Sequence, residues 1–200
     1  MLFRSINSSA IFGGTFDPIH RGHLHLITSV LKTGKFDQLY VVPAGEPNLR
    51  TTPVASKGDR LRMLELALSD LPKEISHQIR ISDIEIVRNG PTYSVDTVKE
   101  LQRTFNAQWT LIIGSDVLNS LPQWHAFQEL CSLVEFLVVK RPGSDVANIP
   151  GVRMSTIEID ALDISATTVR TALAAGSDIN TFISPRVVEY IKEHGLYARA

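Results

Sequence analysis

The stretch Ala10-Ile11-Phe12-Gly13-Gly14-Thr15-Phe16-Asp17-Pro18-Ile19-His20-Arg21-Gly22-His23 decides how this chain folds. Three apolar residues run into two glycines, and a helical period begins at His20 and continues to Leu31. That order predicts a strand, a tight turn and a helix. Glycine has no Cβ to hold a ligand away from the backbone, and the free amides and positive end of the following helix favour an anion, a phosphate above all. The spelling is neither GxxxxGK(S/T) nor GxGxxG, which argues against a P-loop NTPase and against a dinucleotide-binding dehydrogenase.

Outward from this segment the same alternation repeats. Apolar, β-rich runs at Gln38 to Val42, Ile79 to Ile86, Trp109 to Ile113, Leu133 to Val139 and Arg153 to Ile159 alternate with helical periods at Lys57 to Leu71, Ser94 to Phe105 and, in pieces, Val117 to Leu130. Strands separated by helices predict a parallel sheet flanked by helices. Two more helical segments follow, Ser165 to Ala175 and Pro185 to Glu193, with Ser165 placed as an N-cap and Gly176 and Gly195 as stops. The chain therefore predicts one α/β domain over residues 1–200, with a helical C-terminal part from about 164 to 197 and a surface loop at Arg141 to Gly151.

Two hundred residues with 44% hydrophobic and 20% charged side chains suit one folded domain with a sizeable core. Lys and Arg total 20 against 21 Asp and Glu, a formal charge of −1, which lacks the basic excess that binding a nucleic-acid backbone usually needs. The single cysteine, Cys131, has no partner for a disulfide and no companion at zinc-ligand spacing. No apolar run approaches the roughly 20 residues of a membrane span. Met1 to Ser9 lacks the apolar block of a secretory signal, so the expected location is the cytoplasm.

His20, His23 and His25 crowd into six positions. On a helix His20 and His23 share a face, while His25 lies about 200° round from His23. The pair has three readings: a zinc site, which lacks a third ligand at HExxH-like spacing; a solvated or capping pair; or two donors aimed at phosphoryl oxygens, which the neighbouring glycines favour. A second cluster, Ile164-Ser165-Ala166-Thr167-Thr168-Val169-Arg170, brings hydroxyls and one forked guanidinium to a helix start, again suited to phosphate oxygens. Gly114-Ser115-Asp116 follows a strand and sets a carboxylate where ribose hydroxyls could donate to it.

GTFDPIHRGH resembles the (H/T)xGH element of the nucleotidyltransferase superfamily in its bacterial nicotinate-nucleotide adenylyltransferase form. TTPVASKGDRLRMLEL (Thr51 to Leu66), GPTYSVDT (Gly90 to Thr97), IIGSD (Ile112 to Asp116), LPQW (Leu121 to Trp124), RPG (Arg141 to Gly143), ISATTVR (Ile164 to Arg170) and YIKEHGLY (Tyr190 to Tyr197) resemble that family in its order. The resemblance implies a single Rossmann-like sheet and transfer of AMP from ATP to nicotinate mononucleotide, with Mg²⁺ carried in on ATP and no metal site of the protein's own. It implies His20 and His23 as the catalytic pair. Gly13, Gly14, Thr15, Phe16, Gly22, Gly114, Asp116, Ile164, Ser165, Thr167 and Arg170 would bind ATP, and Arg50, Thr92, Tyr93, Trp124 and His125 the acceptor. Two departures stand out: Leu49 where the family commonly has His, and Asp163 where it commonly has Asn. The rival readings are a sister enzyme with another phosphate acceptor, such as the nicotinamide nucleotide, and a catalytically idle nucleotide sensor. None of these motifs bears on oligomeric state.

Overall fold

The computed structural model describes residues 7–47, 52–160 and 162–198. In chain order the elements are β1 (Asn7–Gly14), α1 (Arg21–Lys32), β2 (Gln38–Pro43), β3 (Glu46–Pro47), α2 (Lys57–Ser69), α3 (Lys73–Ser76), β4 (Ile79–Ile81), β5 (Pro91–Thr92), α4 (Ser94–Thr104) and β6 (Ala107–Gly114). A 3₁₀ helix (Ser115–Gln123) then leads to α5 (Phe127–Leu133), β7 (Glu135–Lys140), β8 (Met154–Glu158), α6 (Ala166–Ala174) and α7 (Pro185–Glu193). Six strands form one sheet in the order β4-β2-β1-β6-β7-β8, every pairing parallel. The two-residue β3 and β5 pair separately. Among the described residues no helix is long and apolar enough to cross a membrane.

The strands are apolar almost continuously because helices cover both faces of the sheet. Alternate residues feed two separate cores. Ala10, Phe12, Leu39, Val41 and Ile112 point to one, where they meet Ile27, Val30 and Leu31 of α1, Met63 and Leu64 of α2, and Val187 and Ile191 of α7. Ile11, Tyr40, Val42, Leu111 and Ile113 point to the other, against Val95, Val98 and Leu101 of α4 and Leu130 of α5. Helix α2 starts cleanly because Ser56 Oγ accepts the Asp59 amide at 3.1 Å.

Two sequence expectations need correction. The strand predicted over Ile79 to Ile86 pairs only through Ile81; its sole neighbour is β2, and after Ser82 donates to the Val41 carbonyl the chain turns, with Val87 bonded back to Asp83. Leu133 closes α5, and strand β7 begins at Glu135. Between Val117 and Leu130 the helix comes in pieces, as expected: Pro122 in the 3₁₀ helix lacks an N–H, and Ala126 adopts a left-handed backbone (φ 49°) just before α5.

The order of the strands locates the ligand crevice. From central β1 the chain builds outward through β2 and β4, then returns to the other side of β1 with β6 and continues through β7 and β8. That reversal leaves an opening outside the carboxyl ends of β1 and β6, where helices leave in opposite directions.

Candidate active site

A cavity of about 1140 Å³ lies at this reversal. Its floor is the carboxyl ends of three strands: Phe12 to Gly14 from β1, Val42 and Ala44 at β2, and Leu111 to Gly114 from β6. Gly14 is required there. A Cβ would stand 2.8 Å from the Phe16 ring, which is buried beneath the turn. Gly45 is equally constrained, since a Cβ would collide with the Glu85 backbone carbonyl.

At one end of the cavity stand His23, Thr15, Phe16, Ala166, Thr167 and Arg170. His23 stacks on His20 with ring centroids 3.7 Å apart and meets the edge of Phe16 at 5.0 Å. Its Nδ1 accepts the His20 amide at 3.3 Å. His20 is the N-cap residue of α1 and only 7% exposed, and its buried Nδ1 has no hydrogen-bond partner among the described residues. Burial lowers its pKa from 6.5 to about 4, so the imidazole is neutral at neutral pH. The two histidines are therefore unequal: His23 forms the wall and His20 stands behind it.

That difference has a measurable consequence. An unfolded chain protonates His20 near 6.5 whereas the folded chain does so only near 4, so between those values the unfolded state holds more protons and stability rises with pH. The contribution is complete above about 6.5 and lost as pH falls toward 4, roughly 3 kcal/mol in all. His20→Asn keeps a good N-cap residue and is expected to flatten the fall in Tm between pH 6.5 and 4.5. An unchanged slope in thermal melts refutes the assignment.

Arg170 reaches the same end of the cavity from α6, where its Nη1 donates to the Asp17 carbonyl at 2.8 Å and its Nη2 to Thr167 Oγ1 at 3.2 Å. Ser165 plays a different part from the expected grip on phosphate: its hydroxyl accepts the Thr168 amide at 3.0 Å and pairs with the Thr168 hydroxyl. It caps α6 and, like Ile164, lies off the cavity wall. Gly22 is also off the wall. A Cβ there would press on the His20 ring, 3.0 Å from its Nδ1, and would only touch the Ile164 carbonyl in ordinary contact.

The cavity lining also includes Thr92, Tyr93, Trp124 and His125. Tyr93 and His125 come from separate elements and stack at 4.2 Å. Thr92 is buried, its hydroxyl 3.4 Å from the Glu46 carbonyl, and Trp124 is half-buried between core and cavity. Asp116 is exposed on the wall at the start of the 3₁₀ helix. Arg50 and Leu49 lie outside the described residues. Among the described residues no three His, Cys, Asp or Glu side chains cluster to hold a metal ion.

Sequence reasoning missed the frame behind these walls. Asp17, only 5% exposed, accepts the amides of Val54 (2.8 Å) and Ala55 (3.1 Å) and the hydroxyl of Tyr197 (2.7 Å). Arg60 is 1% exposed and donates to the carbonyls of Thr15 (2.8 Å) and Gly45 (3.0 Å), joining the loops that follow β1 and β2. An arginine in the first turn of α2, in line with the apolar positions Met63, Leu64 and Ala67, was the available signal for Arg60. Nothing local marked its partners.

A cytidylyltransferase-like family model matches residues 11–172. A Dehalococcoides mccartyi protein named "probable nicotinate-nucleotide adenylyltransferase" is 38% identical, with 96% of this chain and 97% of that one covered. A Shouchella clausii protein of the same name is 35% identical over 94% and 95%. The solved structure of Plasmodium falciparum nicotinic acid mononucleotide adenylyltransferase complexed with NaAD superposes with a TM-score of 0.81, at 22% identity and with 96% and 97% of the two chains covered, which shows the shared fold.

Proposed function

The chain belongs to the cytidylyltransferase-like family, among its nicotinate-nucleotide adenylyltransferases, and on that premise we propose that it transfers AMP from ATP to nicotinate mononucleotide, giving nicotinate adenine dinucleotide and pyrophosphate. One observation carries the assignment. One cavity at the strand reversal is lined both by donors suited to phosphate (His23, Thr167, Arg170) and by a stacked pair of rings (Tyr93, His125) with Trp124.

The attacking atom is a phosphate oxygen of the mononucleotide, already anionic at neutral pH, so no general base is needed. It forms a bond to the α-phosphorus of ATP as the bond to the pyrophosphate oxygen breaks on the far side, and no covalent enzyme intermediate arises. The protein's contribution is alignment and charge stabilisation. His23 donates to an α-phosphate oxygen. His20 stays neutral and holds the His23 ring by stacking and through its amide. Thr15 and the Gly13-Gly14 backbone face the same phosphate, Thr167 and Arg170 take the β- and γ-phosphates, and Gly114 and Asp116 take the nucleoside. Mg²⁺ carried on ATP would neutralise charge on the triphosphate beside Thr167 and Arg170, with no carboxylate cage from the described residues.

The acid nucleotide is the expected acceptor. A ring carboxylate only accepts hydrogen bonds, whereas the amide must also place an NH₂, which a pocket of backbone donors near Thr92 and His125 leaves unpaired. An unpaired buried group costs about 1 to 3 kcal/mol, a roughly five- to hundredfold preference in kcat/KM. Pyrophosphate release is to be measured with each acceptor at fixed ATP and Mg²⁺. Equal use, or preference for the amide, overturns the acceptor assignment, and absence of release with every acceptor overturns adenylyl transfer.

A further inference from the structure

Tyr197 belongs to the C-terminal YIKEHGLY motif, far from the glycine turn in sequence and absent from the cavity wall. Its side chain is nonetheless buried, and its backbone adopts a left-handed conformation (φ 61°) that few residues other than glycine adopt readily. A tail that only needed anchoring could bury any apolar group. This one delivers a hydroxyl to a carboxylate oxygen of Asp17 at 2.7 Å, across 180 residues of sequence.

Asp17 in turn touches two sides of the cavity. The oxygen that accepts from Tyr197 also accepts the Ala55 amide, and the other accepts the Val54 amide and stands 3.9 Å from Arg170 Nη1. The Asp17 main-chain carbonyl takes the same Arg170 nitrogen at 2.8 Å. Moving the Asp17 side chain therefore moves the partner that sets the guanidinium. Both Asp17 and Arg170 line the cavity.

We propose that Tyr197 is a positioning residue for nucleotide transfer, which orients Arg170 toward the triphosphate by fixing Asp17. This rests on the assignment of Arg170 to ATP given above. Burial, and then the bond to Asp17, raise the pKa of the phenol, so it remains a neutral donor throughout the working range of pH.

Tyr197→Phe keeps the ring and loses only the hydroxyl. In the full-length chain it is expected to lower kcat/KM for ATP about tenfold, as loss of one hydrogen bond to a charged group does, while Tm moves by only a few degrees. Arg170→Lys keeps the charge without the fork and is expected to weaken ATP more than it weakens the acceptor. If Tyr197 acts through Arg170, the fold-loss of the double variant is smaller than the product of the two separate fold-losses. Calorimetric titration with ATP and Mg²⁺ provides the same comparison without turnover. Unchanged constants in Tyr197→Phe, or fully multiplicative losses, overturn the proposal. A wild-type chain that binds ATP but releases no pyrophosphate overturns adenylyl transfer instead and leaves the coupling test to the titration.

Discussion

His23→Ala is expected to lower kcat by about two to three orders of magnitude, the loss usual when one preorganised donor to a developing charge is removed, near 3 to 4 kcal/mol of transition-state stabilisation. The geometry explains why this ring matters. Nδ1 accepts the His20 amide, so in the neutral tautomer that makes this bond the ring proton sits on Nε2 and the donor is that nitrogen. Stacking on His20 and the Phe16 edge fix the plane of the ring. The side chain is only half-buried on the cavity wall, so Tm should change little. Steady-state pyrophosphate release with a parallel thermal melt decides it, and a near-normal kcat removes His23 from the transition state.

Arg60→Ala should act on the opposite quantity, stability. The change deletes a guanidinium that is 1% exposed and leaves the carbonyls of Thr15 and Gly45 without their donors. Burial lowers the pKa of this group, and the nearby Asp17 charge opposes that effect; removing Arg60 leaves the carboxylate without this cation. Breaking such a buried arrangement from one side costs about 3 to 5 kcal/mol, a fall of roughly 10 °C in Tm for a chain of this size. Arg60→Met, which fills the volume but not the bonds, should recover only part of the loss. A drop of less than about 3 °C in Arg60→Ala would show that the two loops are held by other means.

The parts of the site legible in the sequence are those in which one short segment carries the whole device. AIFGGTFDPIHRGH contains its own strand end, its own close-approach glycine and its own helix start, so position in the chain nearly equals position in space. The Ser165 to Arg170 cluster is similar, although Ser165 answers to the helix it caps before any ligand, because an N-cap hydroxyl is already engaged by the first-turn amides. The short reach of β4 was harder to see. Ile79 to Ile86 has the composition of a strand throughout, but an edge strand extends only as far as its one neighbour continues the ladder.

Periodicity and turn chemistry by themselves determined the α/β class, the helical C-terminal part and the two polar clusters at helix starts, because each depends on residues a few positions apart. The tertiary structure alone decided which clusters share a cavity and what holds them there. The strand order sets the end of β1 beside the end of β6. Folding brings Tyr93 onto His125, and it joins Asp17 to Tyr197 and Arg170 across 180 and 153 residues. Those contacts unite side chains whose local surroundings carry no trace of one another, since closing a long loop leaves no periodic mark on the residues at its ends.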